Sequence, residues 1–386
     1  MTEAAAPPPI PTAPPPPARP GRRRWPLVLT VVTVVVVALV VVAGRIQLDY
    51  YALTPGTAQS VDPLVRVPPS QRHPVHGQVL LTDVYVTQLT LLTYLPNEWD
   101  SNADVVPAAE LLGPSTPPDQ LTAQGYLEMA QSQAYAKAAA LTRLGHHVGE
   151  RNVGTVVFAV APGSPAGPSL SVGEVVTAVG GTPTPDTCSF VAALHHYLPG
   201  QRVELSVRET TFNDNGTPVP GRTVNRAVRL ARNPHPDTPT GCPGVNGPNR
   251  GYLGVDLETQ QQFSYPFPVS VDTSQIGGPS AGLAMTLSIV NKLSTGDITD
   301  GHKVAATGTI DPTGAVGDVG GVAQKTVAVE QAGARVFFVP PDEYHDALSK
   351  DVASLRIYPV SSLDQALTIL RRLGGRVPPA PARSSG

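Results

Sequence analysis

Hydrophobic runs of different length and spacing divide this chain into segments with different predicted structures. Residues 25–44 form a run of 20 positions without a charged residue, most of them Val, Leu or other apolar residues. A helix of that length, rising 1.5 Å per residue, covers about 30 Å, the thickness of a bilayer's hydrocarbon core. The pattern predicts a single transmembrane helix at 25–44.

Charged residues around this run predict its orientation. Three arginines at 22–24 precede it, whereas Arg45 and Asp49 follow it. The positive-inside bias places the N-terminus in the cytoplasm and everything after residue 45 outside the cell membrane. A cleaved signal peptide is the alternative, because 41–43 is a passable small-residue cleavage site. Both interpretations predict an exported body.

The remaining pattern predicts one long helix, a β-rich domain and a C-terminal domain that alternates strands and helices. Apolar residues spaced by three and four predict the helix at 117–144, and short strands separated by turns predict the β-rich domain. The resulting division is a disordered Pro-rich tail 1–24, the span 25–44, an extracytoplasmic N-terminal region 45–145, a β-rich domain 146–232, a linker 233–250, an α+β domain 251–374 and a disordered tail 375–386.

Two positions in the C-terminal domain carry candidate chemistry. Ser280 lies among small residues at the start of an apolar helix, where the backbone N–H groups near Gly278 and Ala281 favour a negative charge such as an oxyanion. Lys325 lies on the apolar stripe of a later helix, so we expect it to be desolvated and its pKa to be lowered. A neutral amine can act as general base for a serine hydroxyl. Plain N-capping by Ser280 and a surface position for Lys325 are the simpler alternatives.

Composition narrows the function further. The net charge is −3, with 15% charged residues, and this balance argues against a nucleic-acid partner. Two adjacent His pairs and the lack of a His-Glu-x-x-His motif argue against a metal site. The two cysteines, Cys188 and Cys242, could form a disulfide in an oxidising compartment or remain buried thiols.

Residues 146–232 resemble a PDZ domain of the bacterial, protease-associated kind. The similarity rests on the Gly-Ser-Pro-Ala turn at 163–166, Leu170, the Gly-Glu pair at 173–174 and the Gly-Gly turn at 180–181. It implies a groove that binds an extended substrate or regulatory peptide by adding it as a strand to a sheet edge.

The C-terminal motifs closely resemble the proteolytic domain of the Lon family. They are Gly-Gly-Pro-Ser-Ala-Gly at 277–282, the strand and Thr-Gly pair through 306–310, a Gly-rich turn at 314–317 and Gly-Gly at 320–321 before Lys325. The resemblance implies a Ser–Lys dyad of Ser280 and Lys325, with Thr307 beside it. Together with the anchor and the PDZ pattern, the chain resembles the membrane-anchored, Lon-like PDZ proteases of Gram-positive bacteria.

The sequence thus predicts a multidomain chain with one transmembrane helix, a PDZ domain and a Lon-type α+β domain. We expect an ATP-independent extracytoplasmic serine endopeptidase without a cofactor, because Gln324 replaces the Gly that a Walker A motif needs before Lys325. Its partners would be protein or peptide substrates and the membrane, and an oligomer is left open. The alternatives are an α/β-hydrolase using Ser280 with His345 and either Asp311 or Asp318, and a non-catalytic peptide-binding scaffold.

Overall fold

The computed structural model describes residues 25–112, 120–234, 241–243, 245, 250–274, 276–350 and 354–380. Within these ranges the helices are α1 Trp25–Ala43, α2 Tyr94–Glu98, α3 Ala108–Leu112, α4 Leu121–Arg143, α5 Thr187–His195, α6 Gly282–Leu293, α7 Val322–Gln331, α8 Tyr344–Leu348 and α9 Leu363–Arg372, with a 3₁₀ turn at Pro69–Gln71.

The strands belong to two large sheets and three short pairs. In chain order they are β1 Gln47–Ser60, β2 Val65–Arg66, β3 Gln78–Thr90, β4 Asp104–Pro107, β5 Gly149–Val160, β6 Val175–Val179, β7 Thr182–Pro183, β8 Arg202–Phe212, β9 Pro218–Arg229, β10 Ala231–Arg232, β11 Gly251–Tyr252, β12 Val255–Ser264, β13 Ser270–Val271, β14 Lys303–Ala306, β15 Thr309–Ile310, β16 Val316–Gly317, β17 Val336–Val339 and β18 Arg356–Pro359.

The first sheet joins strands from both ends of the chain in the order β18-β17-β14-β3-β1-β4. Strands β18, β17, β14 and β3 are parallel, whereas β1 and β4 pair antiparallel. The predicted N-terminal region 45–145 is therefore not a separate unit in this structure, because its strands complete the sheet of the C-terminal domain.

Burial on both faces of β3 explains this arrangement. Successive strand residues point to opposite faces. Val79 and Leu81 pack in the core that contains α6, while Leu80 packs on the opposite face with α7. A strand that is apolar on both faces needs neighbours on both edges and helices above and below. The sequence of β3 alone shows its apolar character but does not identify these distant partners.

The second sheet forms a β domain with the order β12-β5-β6-β8-β9, and β7 pairs with β6. Strand β12 pairs antiparallel with β5, so it belongs to this domain and not to the C-terminal domain, whose predicted start was residue 251. A disulfide joins Cys188 on α5 to Cys242 in the predicted linker. It fixes the described part of that linker to the β domain.

Helix α4 connects the two domains. It covers Leu121–Arg143, against the predicted 117–144, and residues 113–119 lie outside the described ranges. Leu127 packs against Val156 and Val175 of the β domain, whereas Met129 and Leu141 pack in the core around α6. The helix therefore shares one face with each domain.

The structure tests the predicted disordered tails and the predicted transmembrane helix only in part. Residues 1–24 and 381–386 lie outside the described ranges, but 375–380 pack on the protein: the Arg376 N–H donates to the Asp297 carbonyl (2.9 Å), and Arg143 donates to the carbonyls of Pro378 and Pro379. These contacts correct the prediction that disorder begins at residue 375. The predicted span coincides with α1, yet among the described residues no helix meets the length and hydropathy needed to cross a membrane.

Candidate active site

Ser280 lies at the entrance to helix α6, in a loop that only small residues can form. Gly278 has φ +87°, a left-handed conformation that glycine adopts without strain. A Cβ on Gly282 would lie 2.9 Å from the backbone nitrogen of Ile310, so α6 begins in close contact with β15. Ser280 is half-buried there, and its carbonyl oxygen accepts the Gly308 N–H (3.0 Å).

Lys325 is buried in the first turns of α7, with 2% of its surface exposed. Desolvation lowers its pKa to about 8, although the negative charges of Glu343 and Asp83 act in the opposite direction. The sequence-based expectation of a desolvated lysine with a lowered pKa is confirmed. At that pKa an appreciable fraction of the amine is neutral near physiological pH, as a general base requires.

Thr307 connects the lysine to the serine loop. Lys325 Nζ donates to Thr307 Oγ1 (3.3 Å), and that hydroxyl donates to the carbonyl oxygen of Ser280 (3.3 Å). Thr307 is itself fully buried, and its N–H donates to the Phe338 carbonyl of β17 (2.9 Å). Among the described residues no direct hydrogen bond joins the Ser280 hydroxyl to Lys325, so Thr307 is the observed link. Catalytic hydrogen bonds are often long or unformed without substrate.

The backbone N–H groups that could bind an oxyanion differ in whether they already donate a hydrogen bond. The Gly278 N–H donates to the Gly125 carbonyl of α4 (2.8 Å), so it is engaged in this structure. The N–H groups of Ser280 and Ala281 have no hydrogen-bond partner within the described part of the chain. They lie at the N-terminal end of α6, where the partial positive charge of the helix favours an anion. Ala281 thus fits the donor role better than Gly278 does.

Two carboxylates near Lys325 were missed by sequence reasoning. Asp83 comes from β3, where the N–H and hydroxyl of Thr57 bind its carboxylate. Glu343 accepts the Val319 N–H with one oxygen (2.8 Å), and its other oxygen is buried without a partner among the described residues. Burial raises the pKa of Glu343. No local sequence signal identifies either residue, because only the fold brings them near Lys325.

The residues of the alternative triad are not assembled here. His345 is exposed on α8, and Asp311 uses Oδ1 to accept the N–H groups of Thr313 and Ala315 in a tight turn (both 2.9 Å). Within the described ranges no hydrogen bond connects Ser280 with His345, Asp311 or Asp318. The described residues also contain no group of three or more His, Cys, Asp or Glu side chains placed to hold a metal ion.

One family model matches the segment that contains this site. Residues 271–371 match the Lon protease (S16) C-terminal proteolytic domain. This range contains Ser280, Thr307 and Lys325, so all three residues of the linked site lie within the matched segment.

The similar curated proteins are themselves Lon proteases. The one from Chloroflexus aggregans is 30% identical over 120 residues, 30% of this chain and 14% of that protein. Lon protease 1 of Sorangium cellulosum is 32% identical over 124 residues, 31% of this chain and 15% of that protein. The chain therefore spans about one seventh of the length of these relatives.

A solved structure is also similar to part of this chain. The PDZ domain of an SdrC-like protein from Listeria monocytogenes is 16% identical, with a TM-score of 0.20, and covers 27% of this chain and 87% of its own.

Proposed function

We propose that this chain is a serine endopeptidase that uses Ser280 as nucleophile and Lys325 as general base. The observation that carries the proposal is the buried lysine, linked through Thr307 to the serine loop inside a Lon-type proteolytic domain. Desolvation provides neutral amine near pH 8, and among the hydrogen bonds of the described residues the Lys325 amine makes one, to Thr307.

The proposed reaction follows from these positions. Neutral Lys325 takes the proton of the Ser280 hydroxyl while Oγ attacks the carbonyl carbon of the peptide bond. The N–H groups of Ser280 and Ala281 stabilise the oxyanion, and the resulting ammonium of Lys325 returns its proton to the departing amine. Water, deprotonated by Lys325 in the same way, then hydrolyses the acyl-enzyme and restores both residues.

The proposal has three further parts, which concern the β domain, ATP and the membrane. The β domain binds an extended peptide as a PDZ domain does, presenting substrate or regulating access. The reaction does not use ATP, because the sequence lacks a Walker A motif. The protein is held at the cell membrane through 25–44 with the catalytic domain outside, and the run of apolar residues supports this. Because Cys188 and Cys242 are joined in a disulfide, the test introduces one cysteine after the run and labels it with a thiol reagent that cannot cross the membrane.

Hydrolysis of an unfolded protein by the full-length chain, purified in detergent without ATP, tests the activity. We expect cleavage by the unmodified chain and loss of cleavage in both Ser280→Ala and Lys325→Ala. Ser274→Ala is the matched control, because Ser274 is an exposed serine of the same loop. Cleavage that survives Lys325→Ala contradicts the dyad, and a chain that never cleaves supports a peptide-binding scaffold.

A further inference from the structure

A cavity of about 400 Å³ adjoins the serine loop on the side of α4 and the β domain. Pro279, the residue before Ser280, forms part of its wall, and the Pro279 carbonyl accepts the hydroxyl of Ser132 on α4 (2.9 Å). Strands β15 and β16 close another side. The volume lies within the range of about 300–1,000 Å³ that is usual for ligand pockets. A substrate side chain next to the scissile bond can therefore enter it.

The charges on the wall of this cavity are uncompensated. Its acidic members are Glu128 from α4, Glu258 from β12 and Asp311 from the turn after β15, and none of the described lining residues is Lys, Arg or His. Asp311 is already used by its own turn. Glu258 accepts only the amide of Gln131 (3.2 Å), among the hydrogen bonds of the described residues. Two carboxylates thus face the cavity without a cation.

Burial makes this arrangement unfavourable in the absence of a ligand. Desolvation, and after it the charge of Glu258, raises the pKa of Glu128 to about 7. The free energy of a desolvated carboxylate falls when a cation enters its site and forms charge-assisted hydrogen bonds. An apolar side chain in the cavity would leave both carboxylates unpaired, and an acidic one would add repulsion. The cavity therefore favours one chemical class of substrate side chain.

We infer that this cavity is a substrate subsite for a lysine or arginine side chain close to the scissile bond, with Glu128 and Glu258 as its specificity-determining residues. The inference rests on the proposed peptidase function for its biological meaning. Because Glu258 comes from β12, the β domain would build one wall of the active-site cleft in addition to binding peptide elsewhere.

A second cavity lies next to this subsite. It has a volume of about 440 Å³, lies between α4 and the sheet of the β domain, and shares Gln131, Tyr135 and Glu258 with the first cavity. Arg208 lines this second cavity. The two cavities therefore adjoin each other at these three residues, and Glu258 contributes to the walls of both.

Peptide binding to the full-length Ser280→Ala chain tests the subsite without requiring cleavage. The probes are fluorescent decapeptides that differ at one position, carrying Lys, Arg, norleucine or Glu, and that position is moved along the peptide. Fluorescence anisotropy at pH 8 measures the dissociation constants. At one position we expect the Lys and Arg peptides to bind at least about tenfold more tightly than the norleucine peptide. Glu128→Gln and Glu258→Gln should each remove most of that preference while leaving norleucine binding unchanged.

Two more variants and a change of pH complete the experiment. Glu204→Gln, an exposed glutamate of the β domain, should keep the preference, whereas Glu258→Arg should reverse it toward the Glu peptide. Lowering the pH from 8 to 6 should weaken the preference, because Glu128 becomes protonated beside Glu258, Asp311 and Tyr135. Equal binding of Lys and norleucine peptides at every position, or a preference that survives both Gln variants, overturns the subsite. If the unmodified chain binds Lys peptides selectively but cleaves none, the proposed peptidase function fails and the subsite stands.

Discussion

Lys325 permits a quantitative prediction, because its protonation state limits the proposed reaction. With a pKa of about 8, the neutral amine is about 9% of the total at pH 7 and about 91% at pH 9. The kcat/KM of a peptide substrate should therefore rise about tenfold between these pH values and level off above pH 9. A lysine with the ordinary pKa of 10.5 would give a rise of about 100-fold without a plateau.

The charges around Lys325 allow the midpoint of this profile to be moved. Glu343 and then Asp83 raise the Lys325 pKa, against the larger effect of desolvation. Replacing either charge by its amide, as Glu343→Gln or Asp83→Asn, should move the midpoint to lower pH. Glu330→Gln is the matched control on α7, because Glu330 is not among the charges that shift the Lys325 pKa.

The stability of a lysine variant separates catalysis from folding. Because the Lys325 pKa is lower in the folded than in the unfolded chain, folding is penalised at pH values where the unfolded chain carries the proton. The penalty is absent above about pH 10.5, grows as the pH falls to about 8, and reaches roughly 3 kcal/mol below that. We expect Lys325→Met to unfold at higher urea concentration than the unmodified chain at pH 7, yet to be inactive.

Initial rates measured from pH 6 to pH 10, together with urea unfolding at pH 7, check these expectations. Lys303→Met is the second control, because Lys303 is an exposed lysine of β14 and should leave both measurements unchanged. Cleavage by Lys325→Met, or a rate profile that still rises steeply at pH 10, would refute the assignment of Lys325 as the general base.

Three more substitutions test other parts of the structure. Thr307→Val removes the hydroxyl that links Lys325 to the serine loop, and we expect kcat/KM to fall about 10- to 100-fold in peptide assays while circular dichroism shows an intact fold. Gly282→Ala places a Cβ against the Ile310 backbone and should lower the unfolding free energy by about 1–3 kcal/mol in urea titrations; an unchanged midpoint would show that the α6–β15 contact can relax. Replacing Cys188 and Cys242 together by Ser opens a 54-residue separation and should lower that free energy by about 4 kcal/mol under oxidising conditions and by nothing under reducing conditions.

Helix α4 contacts both the serine loop and the β domain. Its Gly125 carbonyl holds the Gly278 N–H, and Ser132 holds the Pro279 carbonyl, so it fixes both residues that precede Ser280. The same helix packs Leu127 against the β domain. A change in how the β domain packs on α4 would therefore be felt at the serine loop.

The sequence by itself determined the local environment of the two candidate residues. The order of small residues around Ser280 and the apolar spacing around Lys325 indicated a candidate nucleophile at a helix start and a desolvated lysine, because both patterns depend on neighbours a few positions away. Helix α4 was predicted to within four residues at its start and one at its end for the same reason. The motif order also indicated the Lon-type domain that residues 271–371 match.

Only the tertiary structure decided how distant segments combine. Strand β3 joins β14 across more than 200 residues, and β12 returns to β5 after the linker, because backbone pairing and two-sided burial are satisfied by partners that no local pattern identifies. Three features of the site arise from this assembly. Helix α4 accepts the Gly278 N–H, the charges of Asp83 and Glu343 lie near Lys325, and Glu128 and Glu258 line the same cavity. Spacing along the chain indicates which side chains are candidates for chemistry. Long-range packing determines the charges and the burial around those side chains.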